Sequence, residues 1–591
     1  MLAPTGVAFS GGGSRAYVAA LGQLQALSEA GLIDNVDHVA GVSGGAWAVA
    51  ARANCDETLE LLAPSELNWD ALGFLPATKD APHLAVCRNS MIAVGALALA
   101  RGRNPYEAWR TAVHSTFLKP FGLSDGAGLE LLAGRSAEQT SHSYVPHVGV
   151  AVLGEATKAP FTLSRRAFAC LELTAGGGRL IGPRGEAPAG RPAAARPAAI
   201  PAPRGGRWRR TATSSKGSSS SQLEAGIDFA RCSLADALAM SSFFPAAPLQ
   251  TRYEEGALAA PLLGRLRRAL GRSWRVTLPA SGLGGGKQIE NVPAGEATAE
   301  EAKAEAAAAA DEASAAADEA MLLGDGGSVC NIPIHVLLAH GVRSSLCLIN
   351  VGEALPTREE WDPFESELPP PGVPFCEDLA ALFGLEPTSP NPSKDLSHAW
   401  CFERSSFAPL IAALQSSLAA GRGAFATTTL RTVHNQYWGI AAGESCSVAW
   451  GYIARAPTWE AQLPESVRAA LGTDYAEAAE VGLDAAAATP EPSTAARSGA
   501  PAQAAGAARR RVASLLGDAS RASALRYVRA LVADVWPRRA LDSFPQFPLT
   551  RIRLSAAEAN ALYQQSGWVV AEHADELSAV LGDTEKADND K

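Results

Sequence analysis

The chain lacks a hydrophobic run long enough to cross a bilayer. Its most apolar stretch, Met91 to Ala100, is bounded by Arg88 and Arg101 and is far shorter than the ~20 residues a spanning helix needs. The start, Met1-Leu2-Ala3-Pro4, shows no basic region followed by an apolar core, so no targeting segment is read there. Nine cysteines are scattered without a C-x-x-C or a pairing pattern. That argues for a reducing compartment and against a zinc site. Positive charge is not in excess: 51 basic against 61 acidic side chains leave a net charge of −10, which excludes a nucleic-acid binder by bulk electrostatics. No internal repeat is evident. These absences lead us to expect a soluble, cytoplasmic protein that can meet a membrane surface only from outside.

What is present is concentrated in the first fifty residues. Gly11-Gly12-Gly13-Ser14-Arg15 is a glycine nest, and Gly41-Val42-Ser43-Gly44-Gly45 is a G-x-S-x-G nucleophile elbow. Thr5 to Ser10 reads as a buried strand running into the glycines, whose successive N–H groups can then point at one spot. Val18, Leu21, Leu24 and Leu27 form the apolar stripe of a following helix, with Gly31 as its C-terminal cap. Val36 to Val42 reads as a second strand, Ser43 as the tight bend, and Gly44 to Ala50 as the start of a helix. That strand–turn–helix setting is what an elbow requires. Nest and elbow together describe acyl transfer, because attack on an ester needs a poised nucleophile and donors for the oxyanion. The donors are the N–H groups of Gly12, Gly13 and Gly44, with Ser43 as nucleophile.

A serine hydroxyl is a poor nucleophile until a base takes its proton. The histidines offer little. His573 lies in Val569 to Asp575, which reads as a polar helix face, and His434 and His398 lie in ordinary polar contexts. A different base is Asp325. Gly324-Asp325-Gly326-Gly327 follows the apolar Met321-Leu322-Leu323 and precedes Asn331-Ile332-Pro333. An aspartate between glycines at a strand end can stand beside a closely approaching backbone. The same tetrapeptide also makes an ordinary turn, and the residues alone leave both readings open.

The ordered set of nest, Arg15, elbow, small-residue helix (Leu234 to Pro245, with Ser241-Ser242) and D-G-G-x-x-x-N-x-P resembles the cytosolic phospholipase A2 and patatin-like lipid acyl hydrolases. The likeness covers residues 1–55 well, roughly 225–355 moderately, and the rest diffusely. It implies an α/β fold with a central, largely parallel sheet flanked by helices, and a Ser43–Asp325 dyad that forms an acyl-serine. It further implies glycerophospholipid or lysophospholipid substrates, an Arg15 that contacts the substrate phosphate, and no metal or cofactor. Transfer of the acyl group to an alcohol or lysolipid, or a binding protein that lost turnover, are the alternatives. Residues 5–10 are expected to be the first catalytic strand, so the resemblance leads us to expect no C2 domain of the kind the animal cytosolic enzymes carry. No residue matches the family's further substrate arginine: His335, His340 and Arg343 are merely nearby.

Alternating helical and strand segments also favour a parallel sheet covered by helices, with the site at the strands' C-terminal ends. Val148 to Leu153, Ala167 to Leu173 and Ser345 to Val351 read as strands, and Ile334 to Ala339 as a helix. Residues 1–484 are expected to form the catalytic domain, carrying low-complexity insertions near 176–221 and 284–320. Residues 485–508 are expected to be a linker, and 509–591 a helical segment, including Ala556 to Tyr563 and Ala571 to Leu581, packed on that domain. The insertion at 176–221 and the linker read as disordered. Ala299 to Ala320 reads as a solvated helix, with Thr298 and Glu301 as its capping box. Seven basic residues and Trp208 between Arg191 and Lys216 suit contact with anionic lipid.

Overall fold

A computed structural model of the chain describes residues 4–55, 60–68, 81–88, 91–100, 105–129, 131, 144–155, 169–174, 177–181, 226–227, 233–242, 321–328, 330–386, 399–435, 438–472, 544–549 and 551–582. The expectations for Arg191 to Lys216, for the helix at Ala299 to Ala320, for 485–508 and for Arg509 to residue 543 lie outside the described residues.

Among the described residues ten strands form one sheet: β1 (Thr5–Phe9), β2 (His38–Val42), β3 (Val145–Glu155), β4 (Ala169–Thr174), β5 (Gly177–Ile181), β6 (Gly226–Ile227), β7 (Met321–Asp325), β8 (Ser344–Ile349), β9 (Ala424–Arg431) and β10 (Ser445–Tyr452). Their order is β6-β5-β4-β3-β2-β1-β8-β10-β9, with β7 also paired to β3. The five central strands, β3, β2, β1, β8 and β10, run parallel. Both flanks are antiparallel, through β4, β5 and β6 on one side and β9 on the other. The fold class is therefore α/β as expected, with a parallel centre and antiparallel margins. Strand β5 corrects one expectation. Glycines at 176–178 suggested disorder from that point, but Arg179, Leu180 and Ile181 pair with Glu172, Leu171 and Cys170 to close a hairpin.

Six helices form where they are expected and others are additional. In chain order they include α1 (Gly13–Glu29), α2 (Gly44–Asn54), α3 (Met91–Ala100), α4 (Pro105–Phe117), α5 (Leu234–Ser241), α6 (Ile334–Ala339), α7 (Phe407–Ala419), α8 (Ala556–Glu572) and α9 (Ala574–Leu581), of which α3, α4 and α7 are additional. The C-terminal cap of α1 is as anticipated: the Gly31 N–H donates to Ser28 O and the Leu32 N–H to Leu27 O, the double bond of a Schellman motif. No helix among the described residues is long and apolar enough to cross a membrane. The core is one continuous cluster. On the elbow helix, Trp47 stacks on Phe117 of α4 with ring centroids 4.2 Å apart.

Helix α8 departs from its sequence. Ala-Ala-Glu-Ala-Asn-Ala-Leu-Tyr-Gln-Gln looks half polar, yet nearly all of its first twelve residues are buried. Several of its polar side chains find partners in other segments. Glu558 forms a capping box with Ser555 and an ion pair with Arg551. Asn560 bonds His83 at 2.7 Å, and Gln564 accepts from the Leu62 N–H at 3.0 Å. His573, expected on a polar face, is buried at the helix end, stacked on Phe425 and bonded to Glu576.

Helices α1 and α8 cross at glycine. A β-carbon on Gly22 would lie 2.1 Å from the Tyr563 carbonyl oxygen, so only hydrogen lets the backbones meet. Gly22→Ala is expected to lower stability by about 1–3 kcal/mol through overpacking. On an exposed helix the same change adds ~1 kcal/mol. Thermal unfolding distinguishes the signs, and an unchanged or raised melting temperature would contradict this crossing.

Candidate active site

Two strand–turn–helix units, β1–α1 and β2–α2, stand side by side and supply the nest and the elbow. Gly12 adopts φ 148° and Gly13 φ 61°, conformations that favour glycine. They place the start of α1 directly behind the turn. The start of α2 abuts it: a β-carbon on Gly44 would fall 2.0 Å from Gly13 O. The N–H groups of Gly13 and Gly44, at the first position of each helix, have no intrahelical acceptor. Two positive dipole ends thus converge on one region, which suits a negative charge there.

Ser43 sits between β2 and α2 with φ 51° and ψ −120°. Among the described residues it is the non-glycine with positive φ. Such a conformation costs roughly 1–3 kcal/mol and persists only where the surroundings enforce it. The Trp47 N–H donates to Ser43 O at 3.1 Å, and the Ser43 N–H donates to Ser241 Oγ at 2.9 Å.

Asp325 reaches this place through strand register. Along one edge of β3, β2 pairs parallel as far as Val42 with Gly149, and β7 pairs antiparallel with Val150 opposite Asp325. Two strands from distant parts of the chain therefore end facing each other on consecutive residues of β3. The residue after one end is Ser43 and the last residue of the other is Asp325. Both are largely buried, at 6% and 8% exposed. Asp325 Oδ1 accepts from the Gly327 N–H at 2.9 Å, which orients the carboxylate from its own turn. Asn331 then ties this turn to the nest. Its carbonyl accepts from the Gly11 N–H at 3.1 Å and its Nδ2 donates to Gly11 O at 3.3 Å. A β-carbon on Gly11 would lie 3.1 Å from Ser43 Cβ. The structure thus brings Ser43, Asp325, Gly12, Gly13 and Gly44 into one neighbourhood.

Arg15 is placed differently from the sequence reading. It is buried, Nε donates to Asn350 O at 3.1 Å, and Nη1 donates to Phe547 O. Burial lowers its pKa to about 10, with Glu353 opposing the shift. The guanidinium joins the nest helix to β8 and to the C-terminal segment. Asn350 completes the underside: its N–H donates to Ser10 Oγ at 2.7 Å, and its amide exchanges two bonds with Gln23. Asn350, Gln23 and Ser241 carry no motif that announces them. Ser241 does fall in the small-residue helix already singled out.

Elsewhere, His38, His147 and His340 stack on one another, at the start of β2, within β3 and at the end of α6. His335 packs on Trp438. Among the described residues no group of His, Cys, Asp and Glu could hold a metal ion.

Residues 7–261 match the family of patatin-like phospholipases. The matched range contains the nest, the elbow and α5, and it ends before Asp325. Human cytosolic phospholipase A2 gamma is 47% identical over 53 residues, 9% of this chain and 10% of that protein. The mouse protein of the same name is 55% identical over 42 residues, 7% of each. The chain therefore spans a tenth or less of the length of these relatives. Among solved structures, human GIVD cytosolic phospholipase A2 covers 30% of this chain and 23% of its own, at 19% identity and a TM-score of 0.22.

The Arg15 placement has a measurable consequence. Arg15→Ala removes two charge-assisted bonds from the interior and should cost about 3 kcal/mol of stability. Arg15→Lys should recover little, because an ammonium cannot reproduce the fork. Denaturant unfolding of both variants checks this. Full stability of Arg15→Ala would show that the guanidinium bears no structural load.

Proposed function

We propose that the protein is a serine lipid acyl hydrolase acting on fatty acyl esters of glycerophospholipids or lysophospholipids. The observation that carries this reading is the meeting of the β2 and β7 ends on β3, beside the nest. In the proposed reaction Asp325 takes the proton of Ser43 Oγ as that oxygen attacks the ester carbonyl. The tetrahedral oxyanion accepts hydrogen bonds from the N–H groups of Gly12, Gly13 and Gly44. Each such donor supplies ~3 kcal/mol of transition-state stabilisation in sites of this kind. Collapse breaks the ester C–O bond, and the lysolipid or glycerol alcohol leaves with the proton held by Asp325. The acyl-serine is then attacked by a water whose proton goes to Asp325, and the fatty acid departs as Ser43 regains its hydrogen.

Arg15 enters this reading as a strut beneath the nest. Its guanidinium is buried and is engaged by the Asn350 and Phe547 carbonyls, not turned towards the solvent side. Arg15→Ala should therefore reduce turnover of a phospholipid and of a soluble aryl ester by similar factors. A loss confined to the phospholipid would restore the phosphate role. The relatives' name, cytosolic phospholipase, and the absence of a spanning helix among the described residues support a cytoplasmic enzyme that approaches lipid from the aqueous side.

The dyad is tested with Ser43→Ala and Asp325→Asn on a mixed lipid panel analysed by mass spectrometry. Each variant should lose at least about 10³-fold in fatty-acid release while keeping its fold, since catalytic groups that act as a unit are not additive. Substantial release by either variant, or its abolition by a single histidine substitution, would overturn the dyad. Acyl groups recovered on an alcohol or lysolipid, in place of free fatty acid, would identify a transacylase with the same chemistry.

A further inference from the structure

Ser43 holds a backbone conformation that no local preference of serine supplies, and something in the surroundings must enforce it. One step beyond the last pair of the β2–β3 register, Val42 with Gly149, the Ser241 hydroxyl is inserted between the two chains. It accepts from the Ser43 N–H at 2.9 Å and donates to Gly149 O at 2.7 Å. Both roles of the hydroxyl are used, and its side chain is fully buried. Gly149 precedes Val150, the residue that registers Asp325. A β-carbon on Gly326 would lie 2.5 Å from the same Gly149 oxygen. One hydroxyl thus spans the nucleophile's backbone and the strand that carries the base.

The element that delivers Ser241 is itself fixed. Helix α5 begins with a full capping box between Ser233 and Asp236. Arg110 of α4 pairs with Asp236 at 2.5 Å. Trp47, on the elbow helix, donates to Leu238 O at 3.4 Å. Ser241 is the last residue of this helix, so its Oγ is positioned by a braced support and not by a loop.

We infer that Ser241 is a positioning residue, which holds the elbow backbone so that Ser43 Oγ faces both Asp325 and the oxyanion donors. This rests on the hydrolase reading above. A group aimed wrongly by about 1 Å can cost on the order of 10²-fold in rate without changing affinity.

The experiment compares wild type, Ser241→Ala, Ser241→Thr and Ser242→Ala for kcat, KM, thermal unfolding and labelling rate by a fluorophosphonate probe. Ser242 is the matched control. It is equally buried, and its hydroxyl bonds Leu238 O and the Trp109 indole. Ser241→Ala should lose about 10–100-fold in kcat and in labelling rate, with KM within about twofold. Ser241→Thr, which keeps the hydroxyl, should recover part of both. Ser242→Ala should turn over and label as wild type does. Labelling of Ser241→Ala at the wild-type rate, or an equal loss in Ser242→Ala, would overturn the inference while leaving the dyad in place. Failure of the wild-type protein to label would remove the hydrolase reading and this inference with it.

Discussion

The edge of β3 that faces β2 serves two strands in succession. β2 arrives parallel and stops at Gly149, and β7 arrives antiparallel and stops at Val150. Backbone hydrogen bonding thereby sets the spacing between a serine and an aspartate separated by nearly half the chain. Side-chain flexibility has little part in it, because consecutive residues of one strand are 3.8 Å apart. The connections between the two strand ends can vary in length without altering this register. Loop-closure entropy grows only slowly with length, so such an expansion costs little.

Around that register the structure holds Ser43, Asp325 and the nest by backbone and buried polar bonds. Asn331 links the Asp325 turn to the nest, Asn350 and Arg15 support the nest from below, and Ser241 secures the elbow. Each contact joins segments far apart in sequence. The candidate site is thus held by elements whose own stability comes from the core, and the proposed oxyanion stabilisation depends on such preorganisation. The tail takes part in this: α8 crosses α1 closely at Gly22, and Phe547 accepts from Arg15.

Much of this was legible in the sequence because the informative signals are local. A strand ending in glycines and followed by an apolar stripe leaves few alternatives, and β1, α1, β2 and α2 form where the pattern puts them. The same holds for α6 and β8 after the D-G-G motif. The antiparallel margins were legible only in part: the residues of β4 read as a strand, but those of β9 did not and β5 was hidden by its glycines, while the parallel strand β10 carried no clear signal either. Nor was the burial of α8, because Asn560, Gln564 and Gln565 are inside only by virtue of partners supplied by other segments. Arg15 shows the same limit. The residue type suits phosphate, but the carbonyls of Asn350 and Phe547 that engage it lie hundreds of residues away.

In the proposed reaction Ser43 and Asp325 act as a pair beneath donors from both helix starts. A crystal structure of the protein after reaction with a fluorophosphonate tests it most directly. Phosphorus is expected on Ser43 Oγ, the phosphoryl oxygen about 3 Å from the N–H groups of Gly12, Gly13 and Gly44, and the Asp325 carboxylate within about 3 Å of Ser43 Oγ. A histidine in that position, or an Asp325 carboxylate turned out of reach of the adduct, would contradict it.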